Sequence, residues 1–462
     1  MAACLVAAFV GLVSASTDEE IWGALRFTPT LRGARYAALG SAGIALVDDA
    51  AAVVINPARL PALLDQELLF EARTGSVDEV SHDGGLQQFN PAINPFAGST
   101  ILGGSTPEDL RAGLISWSYP IPLRLPLVIG ASLDGATESI RAVSSVDTVP
   151  LSAPVTPAGG DNVLRISTGA MDRTSRNLTL AAGWGLTPDF WIGGAVVAGR
   201  LEVDAVTTGS LADPLQFTGP GMFDPRFSGT APEPLRRTTT DDSDTSFALS
   251  AGAFFRPHPA MGLSVVWREG ARYELTATTL DLVSGASTRF SSTVKLPDRA
   301  ALGLAWSPFL SHPSPTLRTL KIAVDVERVS YGDLVEDLVV GQNILTSPDF
   351  VGSVSYGADD ATEVHLGVEW LRIQRDWTLA LRAGGYTDEN ASITLSGISG
   401  DMGALQGQSA ALARGGFFEP TESEAHLTGG IGLGFYRLDV DMAVDYSEPQ
   451  TRVVFSTRYR FR

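Results

Sequence analysis

Apolar and polar side chains alternate along most of this chain from about residue 67 onward. The segments 320–327, 363–370 and 437–446 each carry apolar residues at every second position, with charged or polar residues between them. Because successive side chains of a β-strand point to opposite faces, this period of two predicts strands with one apolar and one polar face. A soluble β-sandwich shows the same alternation, so the number of strands and the rhythm of their connections must distinguish the fold classes.

Fourteen segments of the sequence fit such strands. They lie near residues 67–74, 112–119, 127–137, 177–184, 190–205, 245–255, 262–277, 287–307, 318–330, 362–373, 376–387, 425–436, 437–446 and 451–461. Short turns alternate with long loops, which occupy about 75–111, 138–176, 206–244, 331–361 and 388–424. This rhythm is typical of outer-membrane barrels, and an even strand number places both chain ends on the short-turn side. The sequence therefore predicts an all-β fold, a 14-stranded antiparallel transmembrane β-barrel.

The composition narrows the class of protein further. The chain has 33 Lys and Arg against 52 Asp and Glu, a net charge of −19, and no basic cluster with interleaved aromatics, so no nucleic-acid partner is expected. Residues 1–15 form an apolar run ending in small residues, which predicts a secretory signal peptide. Cys4 lies inside that segment and is the only cysteine, so we expect no disulfide and no cysteine-based site in the mature chain. After the signal, no apolar stretch has the length of a transmembrane helix.

The segment 31–60 is unlike the alternating region. Small residues dominate up to the pair Asp48-Asp49, and Asn56-Pro57-Ala58 follows shortly after. Asn is a good helix N-cap and Pro is well tolerated at the first helical position, so a short helix should begin at Pro57. The carboxylate pair would either bind a cation, pair with arginines of a barrel lumen, or lie in a solvated turn. The sequence leaves these readings open, together with that of an ordinary capped helix in a soluble domain.

This segment resembles the N-terminal hatch of the FadL-type family of outer-membrane transporters. There a Gly/Ala-rich run leads through Asp-Asp-Ala to Asn-Pro-Ala before the first barrel strand, as Gly40, Gly43, 48–50 and 56–58 do here. The segment Lys295–Pro308, with a Leu-Pro pair before an apolar Gly-containing strand, also resembles the family. The resemblance implies a multi-pass protein of the cell outer membrane, with a periplasmic hatch at residues 16–66 and a barrel at residues 67–462.

The resemblance also implies a function and partners. FadL-type proteins take up long-chain fatty acids or aromatic hydrocarbons passively, so a hydrophobic small molecule and outer-membrane lipid are the expected partners. The C-terminal segment 452–461 resembles a barrel-closing strand that the barrel assembly machinery reads, although Arg462 follows the final aromatic. Some relatives are instead outer-membrane components of protein secretion systems that dock exported proteins, and this alternative stays open.

Two sets of residues are candidates for ligand binding. Alternation should turn the cations Arg200, Lys321, Arg382 and Arg452 toward the lumen, where an arginine or lysine could clamp a fatty-acid carboxylate. The alternative is that these cations only balance acidic wall residues. The outer loops carry clustered apolar residues that would capture a greasy ligand or pack on one another: Phe89, Phe96, Leu215, Phe217 and Phe223.

The sequence offers no recognisable enzyme site. The five histidines are scattered without the spacing of a zinc motif, and no Gly-x-Ser-x-Gly elbow occurs. The alternating glycines Gly430, Gly432 and Gly434 lie within a strand rather than before a helix, so they ease curvature or leave room for a plug instead of holding phosphate. We therefore expect no catalytic residues, no metal and no cofactor.

Overall fold

Fourteen antiparallel strands form most of the described chain. The computed structural model describes residues 32–78, 83–84, 99–100, 105–150, 162–212, 233–335, 352–388, 394–400, 423–448 and 450–461. The strands are β1 (Gln66–Asp78), β2 (Ser105–Ile121), β3 (Leu127–Pro150), β4 (Asn162–Thr187), β5 (Phe190–Ala212), β6 (Glu233–His258), β7 (Met261–Arg268 and Arg272–Asp281), β8 (Ser287–Lys295 and Arg299–Trp306), β9 (Lys321–Val329), β10 (Ala361–Ile373), β11 (Thr378–Asp388), β12 (Glu424–Phe435), β13 (Leu438–Tyr446) and β14 (Gln450–Phe461).

Each strand pairs with its sequence neighbours, and the first strand closes the barrel on the last. Gln66 of β1 lies opposite Phe461 of β14, and this antiparallel ladder continues to Val77 and Gln450. All backbone ladder groups can thus be satisfied without an open edge, as a membrane-spanning sheet requires. The predicted 14-stranded barrel is confirmed, with every strand at its predicted place along the chain.

The strands β3 to β6 are longer than the sequence predicted. Strand extends into two predicted loops, 138–176 and 206–244: the β3–β4 ladder runs to Pro150 and Asn162, and the β5–β6 ladder runs to Leu211 and Glu233. Their polar, Ser/Thr-rich sequence is typical of loops. A hairpin that extends beyond the lipid has no need of an apolar face, so the strand signal is lost there while the ladder continues.

The outward face of the barrel carries an apolar belt. Its members are exposed large side chains on nearly every strand, among them Phe70, Ile115, Leu133, Leu180, Val196, Leu249, Val265, Leu302, Val326, Leu366, Leu381, Leu427, Val440 and Phe455. Trp184, Trp267, Trp306 and Trp377 are also exposed, as amphipathic rings at a membrane interface are. No helix within the described residues is long and apolar enough to cross a membrane.

Strands β7 and β8 are each broken near mid-height. Glu269–Ala271 interrupts β7, and Leu296–Asp298, which contains the Leu-Pro pair, interrupts β8. At the break the backbones approach so closely that a Cβ on Gly270 would lie 1.7 Å from the Leu296 carbonyl oxygen. The inward parity changes at both breaks, from even residues to odd residues along β7 and along β8. An inserted residue at a bulge has this effect on a pleated strand.

The breaks open a seam between β6 and the outer half of β7. The backbone ladder stops at Ser250–Arg268 and resumes at Thr240–Ala277. Between these points the β7 amides bond to β6 side chains instead: Arg272 N–H to Ser246 Oγ (3.2 Å), Glu274 N–H to Asp244 Oδ2 (2.8 Å) and Thr276 N–H to Asp242 Oδ2 (2.8 Å). The two strands are therefore spread apart by the width of a side chain and bridged by carboxylates.

The remaining elements are short. Inside the barrel lie α1 (Ala34–Ala37), α2 (Ala52–Ile55) and a 3-10 helix at Pro57–Ala62. The other short elements are α3 (Pro315–Arg318), a second 3-10 helix at Tyr331–Val335 whose Tyr331 is buried beside Glu363, and two small ribbons, Asp83–Gly84 with Ser99–Thr100 and Gly352–Gly357 with Thr394–Gly400. We refer to residues 32–65, which enter the lumen ahead of β1, as the hatch.

The hatch and its seat in the barrel

The Asn56-Pro57-Ala58 turn forms as the sequence predicted. Asn56 Oδ1 accepts a hydrogen bond from Ala58 N–H (3.1 Å), and Pro57 is the first residue of the helix. The helix is a 3-10 helix that contains Pro61, which has no N–H to donate, and it ends at Ala62, where the backbone becomes extended at Leu63. The Asn56 side chain is fully buried.

Asn56 also ties the hatch to itself and to the barrel wall. Its Nδ2 donates to the Ile44 carbonyl (2.8 Å) and to Ser264 Oγ on β7 (3.1 Å). One side chain therefore caps the helix, holds the preceding segment of the hatch and contacts a wall strand. A buried amide with all of these bonds satisfied fixes position as well as contributing stability.

Asp48 and Asp49 bind cations of the hatch and the wall. Asp48 pairs with Arg35 of α1 and lies 3.7 Å from Lys321 Nζ at the start of β9. Asp49 Oδ2 accepts the Tyr36 hydroxyl (2.8 Å) and lies 3.9 Å from Arg458 Nη1 on β14. Of the readings that the sequence left open, pairing with lumen cations is the one the structure contains.

These carboxylates belong to a wider ionic cluster at the short-turn end of the lumen. Its centre is Glu369 of β10, which receives Arg35 Nε and Nη2 from the hatch and Arg382 Nε from β11, each at 2.9 Å. Arg382 also reaches Asp441 of β13 (2.5 Å). The other members are Glu67, Asp439, Arg458 and Arg460. We call this group the ionic seat.

Burial and charge act in opposition on the hatch carboxylates. Burial tends to raise the pKa of Asp48, but Arg35 and Lys321 outweigh it and hold that pKa well below its usual range. Burial dominates at Asp49 and leaves its pKa above the usual value despite Arg458 and Arg35. Asp48 is therefore an ionised partner whose charge the seat stabilises, as expected for a carboxylate beside two cations.

The opposite side of the hatch packs through apolar contacts. Tyr36, Val53, Ile55 and Leu60 are buried against Leu114, Val128 and other side chains of β1 to β5. Arg59 lies over Phe254, with its Cζ 4.1 Å from the ring centroid, and donates Nε to the Val47 carbonyl (2.9 Å). Burial lowers the pKa of Arg59 to about 10. The hatch thus has an apolar flank toward β1–β6 and an ionic flank toward β9–β14.

A ring of inward-facing glycines lets the hatch backbone touch the wall backbone. A Cβ added at any of them would lie 2.3 to 3.0 Å from a hatch atom, which is too close for a side chain. At Gly193, for example, it would be 2.3 Å from the Pro57 carbonyl carbon, and at Gly384 2.3 Å from that of Leu39. The ring, which we call the glycine collar, consists of Gly130, Gly183, Gly193, Gly252, Gly303, Gly367, Gly384 and Gly430. Gly430 therefore leaves room for the plug, as one sequence reading held.

Searches with the sequence and with the structure gave different results. No family model matches the sequence, and no curated protein is significantly similar to it. Among solved structures, a FadL homologue of Pseudomonas aeruginosa aligns over 95% of this chain and 100% of its own, at 15% identity and a TM-score of 0.59. The toluene transporters TodX of P. putida (94% and 99% covered, 13% identity, TM-score 0.56) and TbuX of Ralstonia pickettii (94% and 100%, 15%, 0.52) also align.

The chain has the FadL-type fold. The likeness extends over nearly the whole length of each aligned chain. At 13 to 15% identity it concerns the path of the backbone and assigns no ligand to this chain. The residues of this FadL-type barrel must therefore be judged from their own contacts.

One of the four cations predicted to face the lumen does not. Arg200 is exposed on the outward face of β5 and donates to Ser243 Oγ (2.9 Å), and Glu202 is outward beside it. The prediction assumed that apolar neighbours always face lipid. In the outer half of β5 that pattern is inverted: Leu201 and Val203 are buried on the inward face, and polar residues cover the outside above the apolar belt.

The other three cations face inward. Lys321 lies 3.7 Å from both Asp48 and Glu369, and Arg382 is bound by Glu369 and Asp441. Arg452 is on the inward face of β14, opposite Gly75 of β1. Lys321 and Arg382 thus belong to the ionic seat of the FadL-type hatch. The outer-loop candidates Phe89, Phe96, Leu215, Phe217 and Phe223 lie outside the described residues, as does the predicted signal peptide, residues 1–15.

Sequence reasoning missed Glu369 and Arg458, two wall residues that pair with charged side chains of the hatch. Each occupies an inward position at the short-turn end of its strand, where a plug would be expected to touch the wall. A systematic reading of inward charges at strand ends would have listed both, whereas the search for a ligand clamp considered cations alone.

Proposed function

We propose that this protein is an outer-membrane channel for passive uptake of hydrophobic compounds, gated by displacement of the hatch. The observation that carries the proposal is the hatch itself, which occupies the lumen at the level of the apolar belt. A barrel without a plug would be a water-filled pore, and a barrel with an immovable plug would be permanently closed. A hatch held by separable contacts gives a channel that opens for its ligand.

The distribution of those contacts supports movement toward the short-turn side. The ionic seat lies at that end. Its solvated edge is the Asp48–Lys321 pair, whose side chains are 34% and 28% exposed, whereas Glu369 at its centre is buried. A solvated pair exchanges its partner for water at small cost, but separating Arg35 from the buried Glu369 is costly, as is exposing the apolar flank against β1–β6. We infer that the ionic seat opens from its Asp48–Lys321 edge while the hatch swings about its apolar flank.

The interior above the hatch is apolar on one side, which supports a hydrophobic ligand. On the inward faces of β4, β5, β7 and β8, in their outer halves, lie closely packed apolar side chains: Met171, Leu201, Val203, Tyr273, Leu275 and Val294. A ligand that passes between the long loops and the hatch would have to separate these side chains, and an apolar ligand would replace the contacts that they lose. This side is the apolar counterpart of the charged wall formed by β9–β14.

Within this function, uncharged compounds are the favoured substrate class. A fatty-acid carboxylate would have to compete for Lys321 or Arg382 with Glu369 and Asp441, which already hold them. Burying a second carboxylate among these acids is unfavourable. Relatives by fold include proteins titled toluene transporters and a monoaromatic hydrocarbon channel, which agrees with an uncharged aromatic ligand. For an acidic ligand we keep Arg452 as the proposed clamp because it is inward on β14 and no member of the ionic seat, although it too has interactions that a carboxylate would have to replace.

A disulfide between hatch and wall tests the proposed gate. The Cβ of Ile44 lies 3.0 Å from the position of a Cβ at Gly303 on β8, so the double variant Ile44→Cys with Gly303→Cys needs a shift of about 0.5 to 1 Å to form a bond. Toluene uptake into proteoliposomes should be blocked in the oxidised protein and restored by a reductant. The Ile44→Cys single variant is the control for oxidation, and the Gly303→Cys single variant measures what a side chain at this position of the glycine collar does by itself. Equal uptake by the oxidised and reduced double variant would contradict gating by the hatch.

Substrate class is tested separately in the same vesicles. Uptake of toluene should be rapid compared with that of oleate, and Arg452→Ala should leave toluene uptake unchanged. Selective loss of oleate uptake in that variant would assign a carboxylate clamp to Arg452. Equal rates for both ligands in the parent protein would contradict the preference for uncharged compounds.

The alternative function, docking of an exported protein, would depend on the outer loops. No contact among the described residues favours it. A docking protein should still bind its exported partner when the disulfide holds the hatch in place. Binding of that partner by the oxidised double variant would therefore favour docking. We also propose that β14, with Phe455 and Tyr459 on its exposed face, is the strand that the barrel assembly machinery engages.

A further inference from the structure

Three buried side chains on two adjacent wall strands converge on one point above the hatch. Glu327 of β9, Glu363 of β10 and His365 of β10 each offer a ligand atom, and these atoms lie within 4.8 Å of one another. The residues are between 1% and 6% exposed. Two carboxylates and an imidazole form a donor set suited to a borderline divalent metal such as zinc.

The hydrogen bond at the other ring nitrogen fixes which atom of His365 can bind. Nδ1 lies 2.9 Å from the carbonyl oxygen of Gly40 in the hatch, and because a carbonyl only accepts, Nδ1 carries the proton. In the neutral ring, Nε2 therefore presents its lone pair. Histidine ligands of metals are commonly held by such a bond from the second nitrogen to a backbone carbonyl.

Nε2 is directed at the carboxylates but has no hydrogen-bond partner. It is buried, and the nearest carboxylate oxygen, Glu363 Oε2, is 3.7 Å away, beyond hydrogen-bond distance. Two ligand atoms bound to one zinc ion at about 2.1 Å in a tetrahedral arrangement lie about 3.4 Å apart. The observed separation is thus close to that of two ligands of one ion and too long for a direct hydrogen bond.

The charges around this point leave room for a divalent cation. Three buried carboxylates lie here: Asp325, which is opposite His365 in the sheet, together with Glu327 and Glu363. Arg268 is 3.1 Å from Glu327, and Arg299 is 3.5 Å from Glu327 and 3.8 Å from Glu363. These carboxylates outnumber the two arginines that pair with them, and Asp325 Oδ1 is buried without a hydrogen-bond partner. A cation at this point would be favoured by that excess of negative charge.

We propose that Glu327, Glu363 and His365 form a binding site for a divalent transition-metal ion of the zinc class. The ion would join β9 to β10 and, through His365 and the Gly40 carbonyl, connect the wall to the hatch. We assign it a structural role, because the site is buried and the one hydroxyl hydrogen-bonded to its carboxylates among the described residues, that of Tyr331, is used to donate to Glu363 Oε1 (3.3 Å). This site is independent of the transported compound.

Metal binding to the purified protein in detergent tests the proposal. Protein stripped with EDTA should bind one Zn²⁺ per chain in calorimetry, and Co²⁺ should give the visible absorption of a low-symmetry N/O site. His365→Gln and Glu363→Gln should each weaken Zn²⁺ binding at least tenfold. His426→Gln is the matched control, since His426 is also buried and its Nε2 faces a single carboxylate oxygen, Glu424 Oε2, at 3.8 Å.

A second measurement avoids dependence on the variants. Crystals of the parent protein soaked in Zn²⁺ should show an anomalous peak at the zinc edge within about 2.1 Å of His365 Nε2. Less than about a tenth of an equivalent of bound zinc, equal binding by His365→Gln, or an anomalous peak only at other positions would overturn the proposal. In that case a proton on His365 Nε2, rather than a metal ion, would lie between Nε2 and the carboxylate of Glu363.

Discussion

At the scale of single residues, the hatch is positioned both by glycines, which leave space for it, and by the hydrogen bonds of one buried amide. The glycine collar removes side chains where the wall must touch the hatch backbone, and Asn56 supplies the one buried amide that contacts the helix, the hatch and β7 together. Close packing and hydrogen bonding thus hold the hatch at the same level of the lumen. Each contribution can be tested by comparing two closely similar variants.

Gly193 and Gly194 provide such a pair, because neighbours in a strand face opposite sides. A Cβ at Gly193 would strike Pro57, whereas one at Gly194 meets only the Ser250 carbonyl oxygen at 3.6 Å, an ordinary contact. Gly193→Val should displace the hatch and raise ion conductance in planar bilayers, while the barrel still forms. Gly194→Val should conduct like the parent. Equal conductance in the two variants would mean that the collar does not hold the hatch.

Two substitutions of Asn56 distinguish its capping of the helix from its hydrogen bonds to Ile44 and Ser264. Asn56→Asp keeps the oxygen that accepts from Ala58 N–H but lacks the donor to Ile44 and Ser264, and Asn56→Ala lacks both. Losing the cap alone costs about 1 kcal/mol. We expect hydrogen exchange of the hatch amides to rise in both variants, most strongly in Asn56→Ala. Unchanged exchange and unchanged transport in Asn56→Ala would leave the motif with no more than a local structural role.

At the scale of elements, the hatch and the wall strands meet along two different kinds of surface. The ionic seat should respond to pH, whereas the apolar flank should not. Asp48 has a folded pKa below its unfolded value, so its ionised form stabilises the folded state. That stabilisation is complete above the unfolded pKa of about 3.9 and is lost as the pH falls toward the lower folded value.

Acid should therefore loosen the hatch in the parent protein. Between about pH 4 and pH 2, bilayer conductance should rise, because protons bind to Asp48 once it has left its cations and so favour the displaced hatch. Asp48→Asn should have a higher conductance at neutral pH and a weaker dependence in this range. Lys321→Met is a second test variant, because it removes one of the two cations that lower the pKa of Asp48. An identical acid response in the parent and in Asp48→Asn would assign it to other carboxylates.

The seam between β6 and β7 gives a second prediction at this scale. Asp242 and Asp244 replace the missing backbone ladder by accepting two β7 amides. The double variant Asp242→Ala with Asp244→Ala should lose about 1 kcal/mol or more for each bond, and local hydrogen exchange at Glu274 and Thr276 should rise. Asp241→Ala, on the exposed face of β6, should have no such effect. Protected amides in the double variant would mean that the strands re-pair without the carboxylates.

At the scale of the whole molecule, the apolar belt and the closed sheet predict the behaviour of a membrane barrel. The purified protein should require detergent, show mainly β circular dichroism and migrate faster on gels before boiling than after. Deletion of residues 32–62 should leave these properties intact, because the strands close through β1 and β14 without the hatch. A stable, detergent-free monomer would be incompatible with the exposed belt.

Much of the architecture was predictable because alternation is a local signal. All fourteen strands were located, and Asn56 and Pro57 marked the start of the hatch helix. Arg200 was misplaced because the meaning of alternation reverses where a strand leaves the lipid. The ionic seat around Glu369 and the Glu327–Glu363–His365 cluster were not predictable in the same way. They depend on register between strands, which a single sequence does not specify.

The glycine collar also bears on how the molecule is assembled. Its members come from eight strands, beginning with Gly130 of β3 and ending with Gly430 of β12, while the hatch that they surround precedes all of them in the chain. The seat is therefore complete only after nearly all of the barrel has been made. A hatch in contact with backbone on so many strands has little room to thread into a finished barrel from below. We expect the strands to wrap around the hatch as they pair, so that plugging and closure by β1 and β14 are a single late step of folding.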